Sequence, residues 1–531
     1  MTRLLHDLIF KSATTSPESI AITHKKSVFS YSELANEVNR AAYGLRALNI
    51  QRFDRVAIYL PKQPETVFSF FGASKAGAVF VPVNPLLKPN QVKYILDDCN
   101  LRILITSKQR LSQLKDQITT CEDLRAIVCI DDPGIQHIGS VQVFSWQQFI
   151  DTPSPDANSN NINSPLTDND MAAILYTSGS TGNPKGVVLS HRNMVVGAES
   201  VSEYLQNSSQ DKILAVLPFS FDYGLSQLTT CFNVGAHCYL MDYLLPNDVI
   251  KAIKKHQITG FAAVPPLWSQ LVKLDWPEGA GDSLRYFTNT GGAMPEATLN
   301  ILQQVFPNAS PYLMYGLTEA FRSTYLPPEE VATRPTSMGK AIPNAEILVV
   351  REDGSECAPH EPGELVHRGP LVSQGYWNAP EKTKQLFKPS PNTPSGITTP
   401  QLAVWSGDTV KKDEEGFLYF IGRKDDMIKS SGYRISPTEV EEAVYQSNRV
   451  TEVAALGIPH PSLGQAVTLV ATRKQSNSED EAIILKKCRA ELPNFMIPQK
   501  IIFLDSVPHN PNGKIDRKAL TEQFKDLYNE S

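Results

Sequence analysis

The chain has 531 residues, 41% hydrophobic and 20% charged, an ordinary globular balance but too long for one core, so about three or four units are expected. A net charge of −6 argues against a nucleic-acid partner, which would favour a basic face. Seven cysteines without C-x-x-C spacing argue against a zinc site or a disulfide framework, and no apolar run approaches the roughly 18 residues of a membrane span.

The amino terminus, MTRLLHDLIFKSATTSPES, has its apolar patch broken by His6 and Asp7 and lacks a signal peptide's continuous apolar region. With the cysteine usage, this predicts a cytoplasmic protein. SYSELANEVNRAAYGLRAL then shows apolar residues at helical spacing behind Ser30 or Ser32 as a cap. DRVAIYL and GAVFVPVN read as short buried strands around the helical ETVFSFFGASKA, and QVKYILDDC with RILITS repeats the alternation. Such repetition predicts parallel sheets covered by helices. The polar, proline-bearing tract at 151–170 is a loop, and a second αβ run follows it to about 330. AEILVVREDGSE, GELVHRGP and VWSGDTVKKDEEGFLYFIGR predict antiparallel strands, with REDG and DEEG as hairpin turns. The tract at 389–401 is low in complexity and predicted to be an exposed loop. A small αβ unit ends the sequence: helix SPTEVEEAVYQS, strands VAALGIP and AVTLVATR, helix EDEAIILKKCRAEL.

Between the strand-like MAAILY and VVLSH lies YTSGSTGNPKG (176–186). Its glycines let backbone N–H groups approach a ligand closely, its hydroxyls add donors, and Lys185 adds a point charge. A phosphate chain is the natural guest, although the spacing is not the G-x-x-x-x-G-K-[ST] of a Walker loop. A flexible Gly/Ser linker is the plain alternative, against which the tight bracketing by strands argues. Four more stretches carry chemistry. MYGLTEA (314–320) offers a ring, a hydroxyl and a carboxylate. WSGD (405–408) sets Asp408 after a glycine. GRKDDMIKSSGYRISPTEVE (422–441) is charged and glycine-punctuated, and PNGKIDRKAL (511–520) presents Lys514 on a turn. Singly, Asp408 could shape a turn, Glu319 could start a helix and Lys514 could be a solvated surface lysine.

Together, in this order, these stretches resemble the adenylate-forming superfamily of acyl-CoA ligases, nonribosomal adenylation domains and luciferases, over nearly the whole chain. The resemblance implies an α/β fold: a large amino-terminal domain (1–424) of helix-covered parallel sheets plus a β-barrel-like subdomain, and a small mobile α+β carboxy-terminal domain (425–531). It implies two half-reactions. A carboxylate attacks the α-phosphate of ATP, giving an acyl-adenylate and pyrophosphate, and a thiol then displaces AMP. Carried over by motif, Thr177, Ser178, Gly179, Ser180, Thr181, Gly182 and Lys185 would surround the β- and γ-phosphates. Thr318 would reach the α-phosphate, and Glu319 would ligate Mg²⁺, which keeps several waters and needs few protein ligands. Tyr315 with Gly291, Gly292 and Ala293 would line the adenine. Asp408 would accept the ribose hydroxyls with Arg423 nearby, and Lys514 would bridge the carboxylate and the α-phosphate. Rotation about a hinge at Asp425 would deliver Lys514 for adenylation and withdraw it for the thiol.

The substrate rests on LPFSFDYGLSQL (217–228). Asp222 falls where amino-acid-activating members carry the aspartate that pairs with the substrate ammonium. The alternative is that Asp222 caps a helix starting at Gly224. Tyr223, Ser226, Ala263, Thr288, Thr290, Met314, Arg322 and Ser323 would complete the pocket, with Tyr223 and Met314 narrowing it. A small amino acid such as proline fits, and free-standing prolyl-adenylating enzymes resemble this chain. Bacterial acyl-CoA ligases share the same motifs, and Arg322 is unusual in either pocket. The sequence ends shortly after KIDRKAL, so a carrier protein with a phosphopantetheine arm would act in trans; coenzyme A carries the same arm. Luciferase-like oxygenation and an inactive regulatory relative remain open, although intact Lys514, Glu319 and Asp408 argue against decay.

Overall fold

A computed structural model describes residues 3–152, 166–177, 184–423, 426–430, 433–460, 463–475, 477–492, 494–511 and 513–528. Ser178, Gly179, Ser180, Thr181 and Gly182 of the predicted phosphate loop, and the predicted hinge Asp425, lie outside these residues.

Two large sheets form the body. One runs in the order Lys185–Ser190, Met171–Thr177, Val79–Pro82, Arg55–Tyr59, Ile103–Thr106, Ala126–Cys129, Val141–Ser145, His137–Ile138, and is antiparallel only at its two ends. The other places Ser310–Tyr315, Tyr286–Asn289, Gly260–Ala263, Lys212–Ala215, His237–Leu240 and Ile20–His24 side by side and parallel, with antiparallel strands at each edge. ILIT at 103–106 and AIVC at 126–129 are buried at every position, as continuous apolar runs in covered parallel sheets must be.

The predicted helices cover these sheets. Tyr31–Ala47 is opened by Ser30, whose hydroxyl accepts from the Glu33 amide at 3.2 Å while the Glu33 carboxylate accepts from the Ser30 amide at 2.8 Å. Pro64–Ala76 carries apolar side chains on all sides because it is buried on all sides, and Gly77 stops it in the left-handed region. Phe71 from this helix meets Phe232 of the helix Asp222–Val234 edge to face, ring centres 5.4 Å apart, joining the layers into one core.

The predicted antiparallel strands form a five-stranded sheet in which Glu346–Val350, Gly363–Arg368, Leu402–Lys412 and Leu418–Arg423 pair in turn. REDG and DEEG turn as expected: Gly354 N–H donates to Arg351 at 3.0 Å and Gly416 N–H to Asp413 at 3.1 Å. The last sheet contains Ile428–Ser430, Val450–His460, Gly464–Arg473 and Lys500–Leu504, with the helices Pro437–Tyr445 and Asp480–Glu491 packed on it around a core of its own. No helix among the described residues is long and apolar enough to cross a membrane.

Candidate active site

Strand ends build the site. Thr290-Gly291-Gly292 leaves the carboxyl end of Tyr286–Asn289, and Tyr315-Gly-Leu-Thr-Glu leaves that of Ser310–Tyr315. Ligands of open parallel sheets bind at such ends. Gly291 stands at φ +83°, and a Cβ there would lie 3.5 Å from Val264, 3.6 Å from Lys514 Cε and 3.8 Å from Phe221. The GGA turn thus lies against the side chain of Lys514, more than two hundred residues further along the chain. The Lys514 turn also touches the loop just past the strand Val79–Pro82, where Asn84 Nδ2 donates to the Pro511 carbonyl at 3.5 Å.

Four charged residues from the sequence reading act electrostatically on Lys514: Asp222, Arg423, Asp408 and Glu319. Protein surrounds the lysine on most sides and lowers its pKa, with Asp222 the strongest opposing influence. Its side chain remains open to solvent within the cleft, so water softens that lowering.

Asp408 lies opposite Arg423 across the Leu402–Lys412 and Leu418–Arg423 pair. Tyr315 Oη donates to its Oδ2, and Arg423 Nε stands 3.4 Å from its Oδ1. Burial raises the Asp408 carboxyl above the usual aspartate range, against the pull of Arg423, Tyr315 and Lys514. Its buried Oδ1 accepts no hydrogen bond among the described residues. A buried carboxylate oxygen without a donor suits a ribose hydroxyl, so this observation fits the nucleotide.

Thr318 is buried, and with Glu319 it forms the one-turn helix Thr318–Ala320. Glu319 is held by a residue the sequence reading missed: Tyr376 Oη donates to its Oε1 at 2.5 Å. Residues 373–377 form a strap that hydrogen-bonds to Glu319 and to the strand Lys185–Ser190, through Ser373 N–H to the Glu319 carbonyl (2.9 Å), Gln374 N–H to Val188 (2.9 Å) and Trp377 N–H to Gly186 (2.8 Å). Lys185 Nζ lies 5.3 Å from the centre of the Tyr376 ring, and Thr177 faces Lys185 in the strand pair that flanks the loop. Among the described residues no cluster of three His, Cys, Asp or Glu side chains could cage a metal. A Mg²⁺ ion at Glu319 would take one carboxylate, waters and the phosphates themselves, in keeping with its preferences.

The acyl pocket differs from expectation at Asp222. The helix Asp222–Val234 starts at Asp222 itself, with Phe221 as N-cap, so the aspartate does not cap a helix starting at Gly224. Gly224 is required by crowding, because a Cβ there would lie 2.0 Å from the Pro218 carbonyl oxygen. The Asp222 carboxylate already meets a cation: Arg322 Nη1 donates to its Oδ2 at 3.1 Å, and both residues are buried. Tyr223 Oη and Thr288 Oγ1 hydrogen-bond to one another, as do Ser226 Oγ and Thr230 Oγ1 at 3.5 Å. Tyr204 Oη donates to Met314 Sδ at 3.0 Å. Thr290 and Ala263 are buried nearby, at and just beyond adjacent strand ends. Ser323 is engaged elsewhere, 2.9 Å from His367 Nδ1. A larger cavity of about 400 Å³, walled by residues such as Tyr59, Leu87 and Arg110, contains none of the predicted site residues.

Known proteins share this architecture. A long-chain-fatty-acid–CoA ligase of Bacillus subtilis is 27% identical over 98% of this chain and 94% of its own. Surfactin synthase subunit 2, also of Bacillus subtilis, is 28% identical over 97% of this chain, which spans only 14% of that much longer protein. Among solved structures, the anthranilate CoA ligase AuaEII with anthranoyl-AMP superposes with a TM-score of 0.87 at 25% identity, covering 99% and 98% of the two chains. ATP-bound MatB from Rhodopseudomonas palustris gives 0.85 at 25% identity, covering 99% and 100%. Residues 439–514 match the AMP-binding enzyme C-terminal domain, a region that takes in Lys514. Residues 9–377, which hold the GGA turn, the MYGLTEA segment and the acyl pocket, match the AMP-binding enzyme family, and the chain belongs to that family of AMP-forming, ATP- and Mg²⁺-dependent acid ligases.

Proposed function

We propose that this ligase activates a small amino acid, with L-proline the first candidate, and passes the aminoacyl group to the phosphopantetheine thiol of a carrier protein in the cytoplasm. The observation that carries this reading is the buried Asp222 carboxylate beside Lys514. Its Oδ2 accepts from Arg322 Nη1, and its charge is the strongest of those that favour the protonated Lys514. An ammonium group is a natural partner for a buried carboxylate, which a single Arg322 N–H does not saturate. Arg322 keeps the carboxylate paired when no substrate is present, since an unpaired buried charge is costly.

Reactant and nucleotide are both anionic, so the protein's work is positioning and charge stabilisation. Lys514 neutralises charge between the carboxylate and the α-phosphate, Asp408 holds the ribose, and Thr177 with Lys185 flanks the terminal phosphates. Glu319 would hold Mg²⁺, which when bound would supply further charge neutralisation on the phosphate oxygens.

A second reading, an acyl-CoA ligase for another organic acid, draws support from the same ion pair, because Arg322 alone already compensates Asp222. Proline and cyclopentanecarboxylate separate the two, since they share ring and carboxylate and differ by the amine. Pyrophosphate exchange should favour proline by roughly 10–100-fold, the worth of a charge-assisted hydrogen bond of roughly 1.5–3 kcal/mol, and Asp222→Ala should erase most of that preference. Brisk exchange with medium or long fatty acids and none with amino acids would leave the acyl-CoA ligase reading in its place. Offering carrier protein and coenzyme A side by side then identifies the acceptor.

A further inference from the structure

Arg322 is only 3% exposed, yet one of its three guanidinium nitrogens does all the hydrogen bonding. Nη1 serves Asp222, whereas Nε and Nη2 are buried and have no acceptor among the described residues. The guanidinium lies 5.0 Å from the centre of the Tyr223 ring, which accommodates its positive face but satisfies neither N–H direction. Phe321, immediately before it, holds φ at +53°, a strained region for a bulky residue, and its ring is fully buried against Gly197. The chain thus spends conformational energy to set Arg322 where it is.

Beside the guanidinium is a cavity of about 10 Å³, close to the volume that admits one water-sized group. Its walls include Tyr223, Ser226, Thr230, Thr288, Met314 and Arg322. The wall hydroxyls are engaged with one another in the Tyr223–Thr288 and Ser226–Thr230 pairs, and the cavity has room for one oxygen to which the guanidinium can donate. Its charge is constrained as well. For an acid without an amine, Asp222 already balances Arg322 and a second carboxylate would add an uncompensated buried charge, whereas a neutral oxygen satisfies the donors whether or not an amine is present.

We propose that Arg322 makes the floor of the acyl pocket a subsite for an uncharged oxygen acceptor (hydroxyl, carbonyl or ether) on the side chain of the acid. This rests on the pocket being the acid's binding site and is independent of whether the acid carries an amine. A pocket built to hydrogen-bond an oxygen discriminates strongly against an analogue without it, because its buried donors are then stranded.

The test is pyrophosphate exchange with six acids in two matched sets: cyclopentanecarboxylate with both epimers of 3-hydroxycyclopentanecarboxylate, and proline with both epimers of 4-hydroxyproline. In each set the better hydroxylated epimer should lead in kcat/KM by about 10-fold or more. Arg322→Lys retains a cation for Asp222 but loses the planar fork of donors, so the hydroxyl-to-parent ratio should fall toward one. Equal kcat/KM within both sets for the wild-type enzyme overturns the proposal, and that comparison needs no variant to fold. A preference that survives Arg322→Lys at full strength overturns it too, by placing the acceptor elsewhere. A hydroxyl preference without an amine preference supports the subsite and sinks the amino-acid reading. Exchange with none of the six ends the small-acid reading and this proposal with it.

Discussion

An ammonium group that must meet a carboxylate and a phosphate together has to be charged at working pH, and its surroundings pull on Lys514 from both sides. Enclosure by protein lowers its pKa, while Asp222, Asp408 and Glu319 raise it and Arg423 lowers it. The charged form exists below the pKa and is lost as pH rises through it. Adenylation should therefore fall on the alkaline side at a pH below that of a free lysine, and Lys514→Arg should move that limb upward, since arginine stays charged. Lys514→Ala should slow adenylate formation by ~10²-fold or more yet still transfer preformed adenylate to the thiol. A pH–rate profile of pyrophosphate exchange and a single-turnover transfer assay check the two halves. Near-normal adenylation by the alanine variant would remove the lysine from this role. That Lys514, Glu319, Asp408 and Asp222 gather within electrostatic reach of one another was legible in the sequence because each sits in a contiguous motif with its own turn or helix start. The Asp222–Arg322 pair was not, because its members are 100 positions apart and nothing local to either shows that the other faces it.

Among the elements, helices and covered strands were readable from periodicity and caps, and the REDG and DEEG turns from their composition. Strand order and the strap at 373–377 were not. The strap holds no regular periodicity, and it acts by adding main-chain hydrogen bonds to Lys185–Ser190, which sequence patterning does not encode. Its consequence is a joint between the strand Lys185–Ser190 and the carboxylate at 319. Tyr376→Phe keeps the ring against Lys185 and deletes the hydroxyl that steadies Glu319. The apparent Mg²⁺ requirement should rise by roughly 10-fold, the size of one hydrogen bond to a charged group, with turnover at saturating Mg²⁺ largely kept. Titrating Mg²⁺ in pyrophosphate exchange and in calorimetric ATP binding measures it, and superimposable titrations for variant and wild type would show that the hydroxyl has no such role.

On the scale of the whole molecule, two matched regions meet at one site: residues 9–377 supply most of the pocket, and residues 439–514 supply its lysine. Asp425, in the stretch between them, is our proposed hinge. Proline there fixes φ, so Asp425→Pro should spare adenylation and block thioester formation. Equal damage to both half-reactions would signal misfolding, and equal retention would place the hinge elsewhere. The Lys514 turn reaches across to Asn84 and Gly291 from that second region. In the catalytic role we propose for it, Lys514 behaves as a tethered reagent. Its local concentration is set by the linker, on the order of millimolar for a short flexible one, and is indifferent to how dilute the protein is. Once the linker is cut, the same lysine becomes an ordinary solute, and adenylation changes from a property of one molecule into a collision between two.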